Sequence, residues 1–173
     1  MGTQFSPRYG FRAGGGTDEI IRETCGGWNA GRLVYPGVSS CTTITFRDGA
    51  GNLAGLHLAM SDTLIMAGRL IELVRPHLAG GVTAVIHVGR MSDTLGGWNT
   101  QPGYDWPAQA VTVRGLVNAP AVPTYYVDTP HGGYDVQVEP AVGAGFDVAL
   151  KPQSGHPPDF TNGWMPVPVN LLP

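Results

Sequence analysis

Residues 42–59, TTITFRDGAGNLAGLHLA, constrain this chain most, because their apolar residues alternate on both sides of a glycine-rich break. Ile44 and Phe46 stand at even positions before the break, and Leu56 and Leu58 at even positions after it. Successive side chains of a strand point to opposite faces, so the pattern predicts a β-hairpin whose even positions face the core. With the turn inside residues 48–52, Cys41 and His57 share the odd-numbered face. Simple pairing sets a residue between 56 and 60 opposite Cys41, which makes His57 its direct or diagonal neighbour.

The rest of the composition agrees with a strand-rich chain. Charged residues make up only 13% of it, while 26 glycines and 15 prolines favour short strands and many turns over long solvated helices. At 173 residues there is length for one sizeable core, so residues 1–173 read as a single catalytic domain. Within it, the glycine-rich residues 1–16 read as irregular and flexible, and residues 152–173, with six prolines, as an extended wrap or tail. A net charge of -3 and a single lysine, Lys151, leave no basic footprint for nucleic acid. No apolar run approaches the roughly 20 residues that cross a bilayer, and the N-terminus lacks the apolar core of a secretory signal. The expectation is a soluble protein, cytoplasmic at synthesis. Cys25 and Cys41 are too few to staple a chain of this length and read as free thiols.

Along the chain, Thr17 before DEIIRE predicts a short helix that ends ahead of Gly26-Gly27. GRLVYPGVSS reads as a strand broken at Pro36-Gly37. After the hairpin, Leu64, Ala67, Leu70, Ile71, Val74 and Leu78 recur at spacings of three and four, an amphipathic helix capped by Ser61 and stopped by Gly80-Gly81. VTAVIHVGR is an apolar run of strand length and predicts a central strand buried on both faces. A loop with Gly96, Gly97, Pro102 and Gly103 leads to a second helix, WPAQAVTVRGLVNA, with proline in its first turn, and then to strands in PTYYVD, YDVQVEP and GFDVALKP. The fold class is α+β: a mixed β-sheet sandwich, helices mainly on one side, with a core hairpin carrying the Cys-His pair. MSDTL occurs at 60–64 and again at 91–95, a strand-to-helix cap used twice, and TCGGWN at 24–29 is echoed by TLGGWN at 94–99.

A histidine at cross-strand distance from a cysteine can bond the thiol, lower its pKa and hold it as the reactive thiolate. Cys41 and His57 are therefore the candidate catalytic pair. The small polar residues around Cys41 leave room for a substrate, and Ser39, Ser40 and Thr42 are the oxyanion or orienting candidates. VSSCTTI followed by LHLA resembles the Cys-His signature of the cytotoxic necrotizing factor catalytic domain, with its Leu-Ser-Gly-Cys-Thr start, and of the related chemoreceptor glutamine deamidases and Burkholderia lethal factor. That resemblance covers about half the chain and implies an α/β sandwich that deamidates glutamine side chains of a protein substrate. It further implies a bacterial toxin or effector delivered into a host cell, with no cofactor. Ser40 stands where the toxin motif has glycine. The family's third element orients the histidine, and Ser39 or a main-chain carbonyl is the candidate for it here. The alternatives are another Cys-His acyl transfer, such as a peptidase or transglutaminase, and a strand-rich binding module whose tryptophan loops (Trp28, Trp98, Trp106, Trp164) contact a partner.

Other residues carry weaker signals. TCGGW at Cys25 has the beginning of a papain-like motif without its second cysteine. His87 reads as a satisfied core histidine. His131, Asp135 and His156 have no spacing diagnostic of a metal site, and glycines 14–16 lack the Gly-Lys that would make a phosphate loop.

Overall fold

The computed structural model describes residues 3–6, 10–13, 19–91, 106–153 and 160–173. Glycines 14–16, Thr17, residues 92–95 of the second MSDTL, TLGGWN with its Trp98, the loop glycines 96, 97 and 103 with Pro102, and His156 lie outside them. In chain order the elements are β1 (Thr3–Ser6), β2 (Gly10–Ala13), β3 (Glu19–Ile20), β4 (Cys25–Asn29), β5 (Leu33–Val38), β6 (Thr42–Arg47), β7 (Leu53–Leu58), α1 (Leu64–Val74), β8 (Ala84–Gly89), α2 (Trp106–Leu116), β9 (Thr124–Asp128), β10 (Tyr134–Pro140), β11 (Phe146–Pro152), β12 (Met165–Val167) and β13 (Asn170–Leu171). An eight-stranded sheet runs β13-β9-β8-β6-β7-β4-β1-β2, and a five-stranded sheet runs β12-β11-β10-β5-β3.

The hairpin β6–β7 forms with the alternation expected, Ile44 opposite Leu56 and Phe46 opposite Ala54. Its turn is closed by Asp48, whose carboxylate accepts from the Ala50 and Asn52 amides at 2.9 Å. The even face carries Ile44, Phe46, Leu56 and Leu58 against Ala67, Leu70, Ile71 and Val74 of α1 and Val113 of α2. The odd face meets the second sheet across a core that includes Leu33, Tyr35 and Val38 of β5 and Val136 and Val138 of β10. The molecule is thus a three-layer α+β sandwich: helices on one face of the large sheet, the small sheet on the other. β8 is buried at all six positions, as expected of a central strand, between antiparallel β6 and parallel β9. Among the described residues, no helix is long and apolar enough to cross a membrane.

Four local expectations are corrected. From Glu19 on, the described part of DEIIRE contains no helix: Glu19–Ile20 pairs in parallel with β5, and the Ile21 amide donates to the Val34 carbonyl at 2.7 Å. A helix of one turn gains too few hydrogen bonds for its nucleation cost, and two adjacent isoleucines favour a strand. Pro36-Gly37 does not end β5; Gly37 takes φ 71°, and the pairing with β10 shifts register between Tyr134 and Val136, a β-bulge rather than a turn. Helix α1 is capped by Thr63, whose hydroxyl accepts from the Met66 amide at 3.3 Å, because Asp62 after Ser61 is engaged in the preceding turn; Pro76 ends the α-helix ahead of the expected glycines. Finally, Thr3–Ser6 and Gly10–Ala13 pair as strands within the segment read as irregular, extending the sheet beyond β4, whose outer edge would otherwise be unpaired.

One contact fixes the distance between the sheets. Tyr35 of β5 reaches across to the large sheet and shares a 2.6 Å hydrogen bond with Thr45 of β6. The space for the tyrosine exists because the ladder partner of Thr45 is Gly55: a methyl there would overlap the Tyr35 hydroxyl and crowd Leu33. Gly55→Ala should therefore cost about 3 kcal/mol or more in urea unfolding, and Tyr35→Phe about 1–2 kcal/mol. The double variant should recover part of the glycine loss, since the overlapping hydroxyl is gone. Additive losses would mean that the two sites do not share this space.

Candidate functional site

The histidine of the hairpin sits in a row that crosses three strands. Cys25 of β4 is its direct partner on one side and Thr43 of β6 on the other. Cys41 lies two residues before Thr43 and immediately ahead of β6, so extending the alternation of β6 back by one residue would make it a diagonal neighbour of His57 on that side. Diagonal partners stand about 7–8 Å apart between α-carbons, within reach of an imidazole.

This face is not open to solvent. His57 is fully buried, with Tyr35 edge-on to it at 6.0 Å between ring centres. Its Nδ1 lies 3.1 Å from the main-chain carbonyl oxygen of Ile21. A carbonyl can only accept, so Nδ1 carries the hydrogen and Nε2 keeps its lone pair. Nε2 has no hydrogen-bond partner. Burial pushes the imidazole down to about 4, the Ile21 carbonyl opposing, so the ring is neutral at pH 7 and available as a base.

The turn that presents Ile21 also grips the histidine's backbone. The Cys25 amide donates to the Arg22 carbonyl, and the Thr24 amide donates to the His57 carbonyl at 2.7 Å. Thr24 takes φ 60°, a left-handed conformation that costs a β-branched residue energy and is tolerated where surroundings over-determine it. Its hydroxyl faces the carboxylate of Asp62 at 3.4 Å, and Asp62 also accepts from the Ala59 amide at 2.9 Å.

Cys41 is buried too, with 5% of its surface exposed against none of Cys25. Its thiol is pushed up to about 12, first by burial and then by the charges of Glu23 and Asp62, while the Ser39 backbone amide pulls the other way. A resting thiolate held by the histidine, as the pairing alone suggests, is therefore corrected: both groups are neutral at rest. Of the flanking candidates, Ser39 contributes its amide and is exposed at its side chain; Ser40 is half-buried. Thr42 pairs with Leu58 and Gly89, so its hydroxyl belongs to the helix-side face, away from His57, and is buried without a partner.

The remaining signals fall elsewhere. His87 lies opposite Ile44 on the helix-side face, driven down to about 4 by burial and then by the Arg114 charge; its Nε2 has no partner, so it is a buried but incompletely satisfied core histidine. His131 accepts from Arg90 at 2.8 Å. Asp135 accepts from the Gly37 amide. No three metal-ligating side chains converge among the described residues. Trp28 stacks on His77, Trp106 tilts against Tyr126, and the Trp164 indole donates to the Phe160 carbonyl. Sequence reasoning named Ser39 or a main-chain carbonyl as the histidine's partner without locating the carbonyl at Ile21, and it missed the register of Cys25 against His57. Both arise from the segment read as a helix, and the isoleucine pair was the only signal that it is extended.

Two outcomes follow from these environments. Iodoacetamide should label native Cys41 before Cys25, slowly at neutral pH and faster as pH rises, with Cys25 reacting only on unfolding; peptide mapping reads the order. Both buried histidines bind protons in the unfolded chain from about pH 6.5 and in the folded one only near 4, so stability is lost as pH falls through that window, by up to about 3 kcal/mol each. His87→Leu should remove about half of that acid slope in urea titrations at successive pH values.

No protein-family model and no curated protein matches the chain. Among solved structures, the C-terminal domain of CNFy from Yersinia pseudotuberculosis is similar with a TM-score of 0.36 and 10% sequence identity. The match covers 88% of this chain, which spans 61% of the length of that one.

Proposed function

We propose that this chain is a cysteine hydrolase that deamidates a glutamine side chain of a protein substrate, with Cys41 as nucleophile and His57 as base, acting as a bacterial toxin or effector. The observation that carries the reading is the state of His57, whose Nδ1 lies 3.1 Å from a main-chain carbonyl oxygen while its buried Nε2 has no hydrogen-bond partner. The motif resemblance around VSSCTTI and LHLA supplies the substrate class.

With the thiol near 12 and the imidazole near 4, an ion pair is unfavourable before substrate arrives. The proton then moves with the attack: sulfur bonds to the carboxamide carbon as Nε2 takes the thiol proton, and the carbonyl oxygen becomes an oxyanion. The Ser39 amide, which favours the charged sulfur, is the candidate donor to that charge. Nε2 next gives its proton to the departing nitrogen, which leaves as ammonia from a thioester. Water, deprotonated by Nε2, hydrolyses the thioester to glutamate and restores the thiol.

A second reading has its own support: Cys25, not Cys41, is the residue directly opposite His57. Its complete burial in the inter-sheet core disfavours it. A cell lysate treated with wild-type protein should show glutamine-to-glutamate mass increases of about 1 Da that are absent with Cys41→Ala, and His57→Gln should slow them on the order of 10²- to 10⁴-fold. Activity lost in Cys25→Ser but kept in Cys41→Ala would transfer the role to Cys25. Equal changes with wild type and both cysteine variants would sink the hydrolase reading.

A further inference from the structure

Asp62 belongs to the first MSDTL, in the loop between β7 and α1, and the chemistry above does not use it. It is 1% exposed, and its two carboxylate oxygens serve different elements. Oδ2 accepts from the Ala59 amide at 2.9 Å, two residues beyond His57 where the chain leaves β7, and the Asp62 amide donates back to the Ala59 carbonyl at 2.9 Å. Oδ1 accepts from the Thr24 hydroxyl at 3.4 Å, in the turn ahead of β4. One carboxylate therefore joins the end of the histidine's own strand to the neighbouring turn.

That turn needs such a tie. The Cys25 amide closes it by donating to the Arg22 carbonyl at 3.0 Å, and Thr24, with φ 60°, occupies its third position. Glycine is the usual residue at a left-handed third position, because a side chain is strained there and a β-branched one most of all. Such a conformation persists where its surroundings over-determine it. What threonine offers in place of glycine's freedom is a hydroxyl, and that hydroxyl reaches Asp62. The Thr24 amide meanwhile donates to the His57 carbonyl at 2.7 Å, so the turn is attached to the histidine itself with no residue between. Ile21 is fixed from its other side, where its amide donates to the Val34 carbonyl. The 3.1 Å from the Ile21 carbonyl oxygen to Nδ1 thus depends on where the turn sits against β7.

We infer that Asp62 is a positioning residue for His57: it holds the strained turn at Thr24 against β7, which keeps the Ile21 carbonyl on Nδ1–H and leaves Nε2 as the nitrogen with the lone pair. Its meaning for catalysis rests on His57 being the base, but it is tested without any substrate. Long-range proton–nitrogen NMR spectra of protein carrying isotope-labelled histidine show which ring nitrogen bears the hydrogen. The His57 signals are those absent from His57→Gln, and His87, on the helix-side face of the same sheet, is the internal reference. The parent should show the Nδ1–H form. Asp62→Ala should lower the ratio of Nδ1–H to Nε2–H at His57 about tenfold, the equivalent of one hydrogen bond, and leave His87 unchanged. Asp62→Asn keeps an oxygen for the Ala59 amide and an amino group that the Thr24 hydroxyl can accept from, so it should stay within about twofold of the parent. Thr24→Val removes the hydroxyl at constant shape and should act like Asp62→Ala, which keeps the test available if the latter does not fold. A melting temperature that falls in Asp62→Ala and Thr24→Val while the His57 ratio holds would overturn the inference and leave Asp62 a structural tie alone. So would a parent in the Nε2–H form, or ratios at His57 and His87 that move together. A His57 ratio that responds as expected, beside deamidation that persists unslowed in His57→Gln, would count against the proposed activity alone.

Discussion

The hydrogen bond between Tyr35 and Thr45 sets the separation of the two sheets, and the site inherits that separation. A tyrosine can cross the gap only where the facing strand offers no side chain, and Gly55 is that vacancy. The same ring forms one wall around His57, two residues along β7 from Gly55. A sandwich spaced by aliphatic residues alone would tolerate sliding, because dispersion contacts are non-directional. A buried phenol with a single partner does not, since moving it leaves both hydroxyls without one. The burial of the histidine and the definition of its tautomer thus depend on a contact to the strand beside it.

The electrostatics follow from that enclosure. In water, cysteine and histidine titrate within about two units of each other, and proton exchange between them is easy. Enclosed between sheets, with Glu23 and Asp62 near the sulfur, each is driven toward its neutral form. A neutral pair has little desolvation cost and low reactivity toward stray electrophiles. Reactivity in such a site has to be conferred by whatever enters it, which couples chemistry to recognition of a fitting side chain.

How far the sequence reveals this depends on the range of the interaction. Ile44, Phe46, Leu56 and Leu58 announced their face because a strand has a period of two and the turn between them is short. That the other face is also covered was not legible: Thr43, Thr45 and His57 look like a solvated pattern, and the sheet that buries them is completed by β10 and β11, which follow the hairpin only after α1, β8, α2 and β9. Ala67, Leu70, Ile71 and Val74 gave the first helix by their spacing, while its cap could be shifted from Ser61 to Thr63 by a single engaged aspartate. Ile21 illustrates the hardest class. Its contribution is a carbonyl that every residue possesses, so no side chain marks it; only the pairing of β3 with β5 and the left-handed turn at Thr24 aim it at His57.

The final strands in the sequence have an unequal share in holding the layers together. β12 joins the edge of the small sheet through β11, and three residues after its end β13 joins the edge of the large sheet through β9. A single short stitch therefore closes an edge of both layers. Without it, β9 and β11 would each present an unpaired edge, the kind of surface on which chains associate. The two edges are consequently protected together, by the same few residues. The prolines at 166 and 168 interrupt the donors on that stitch and keep its own outer side a poor template for a further strand.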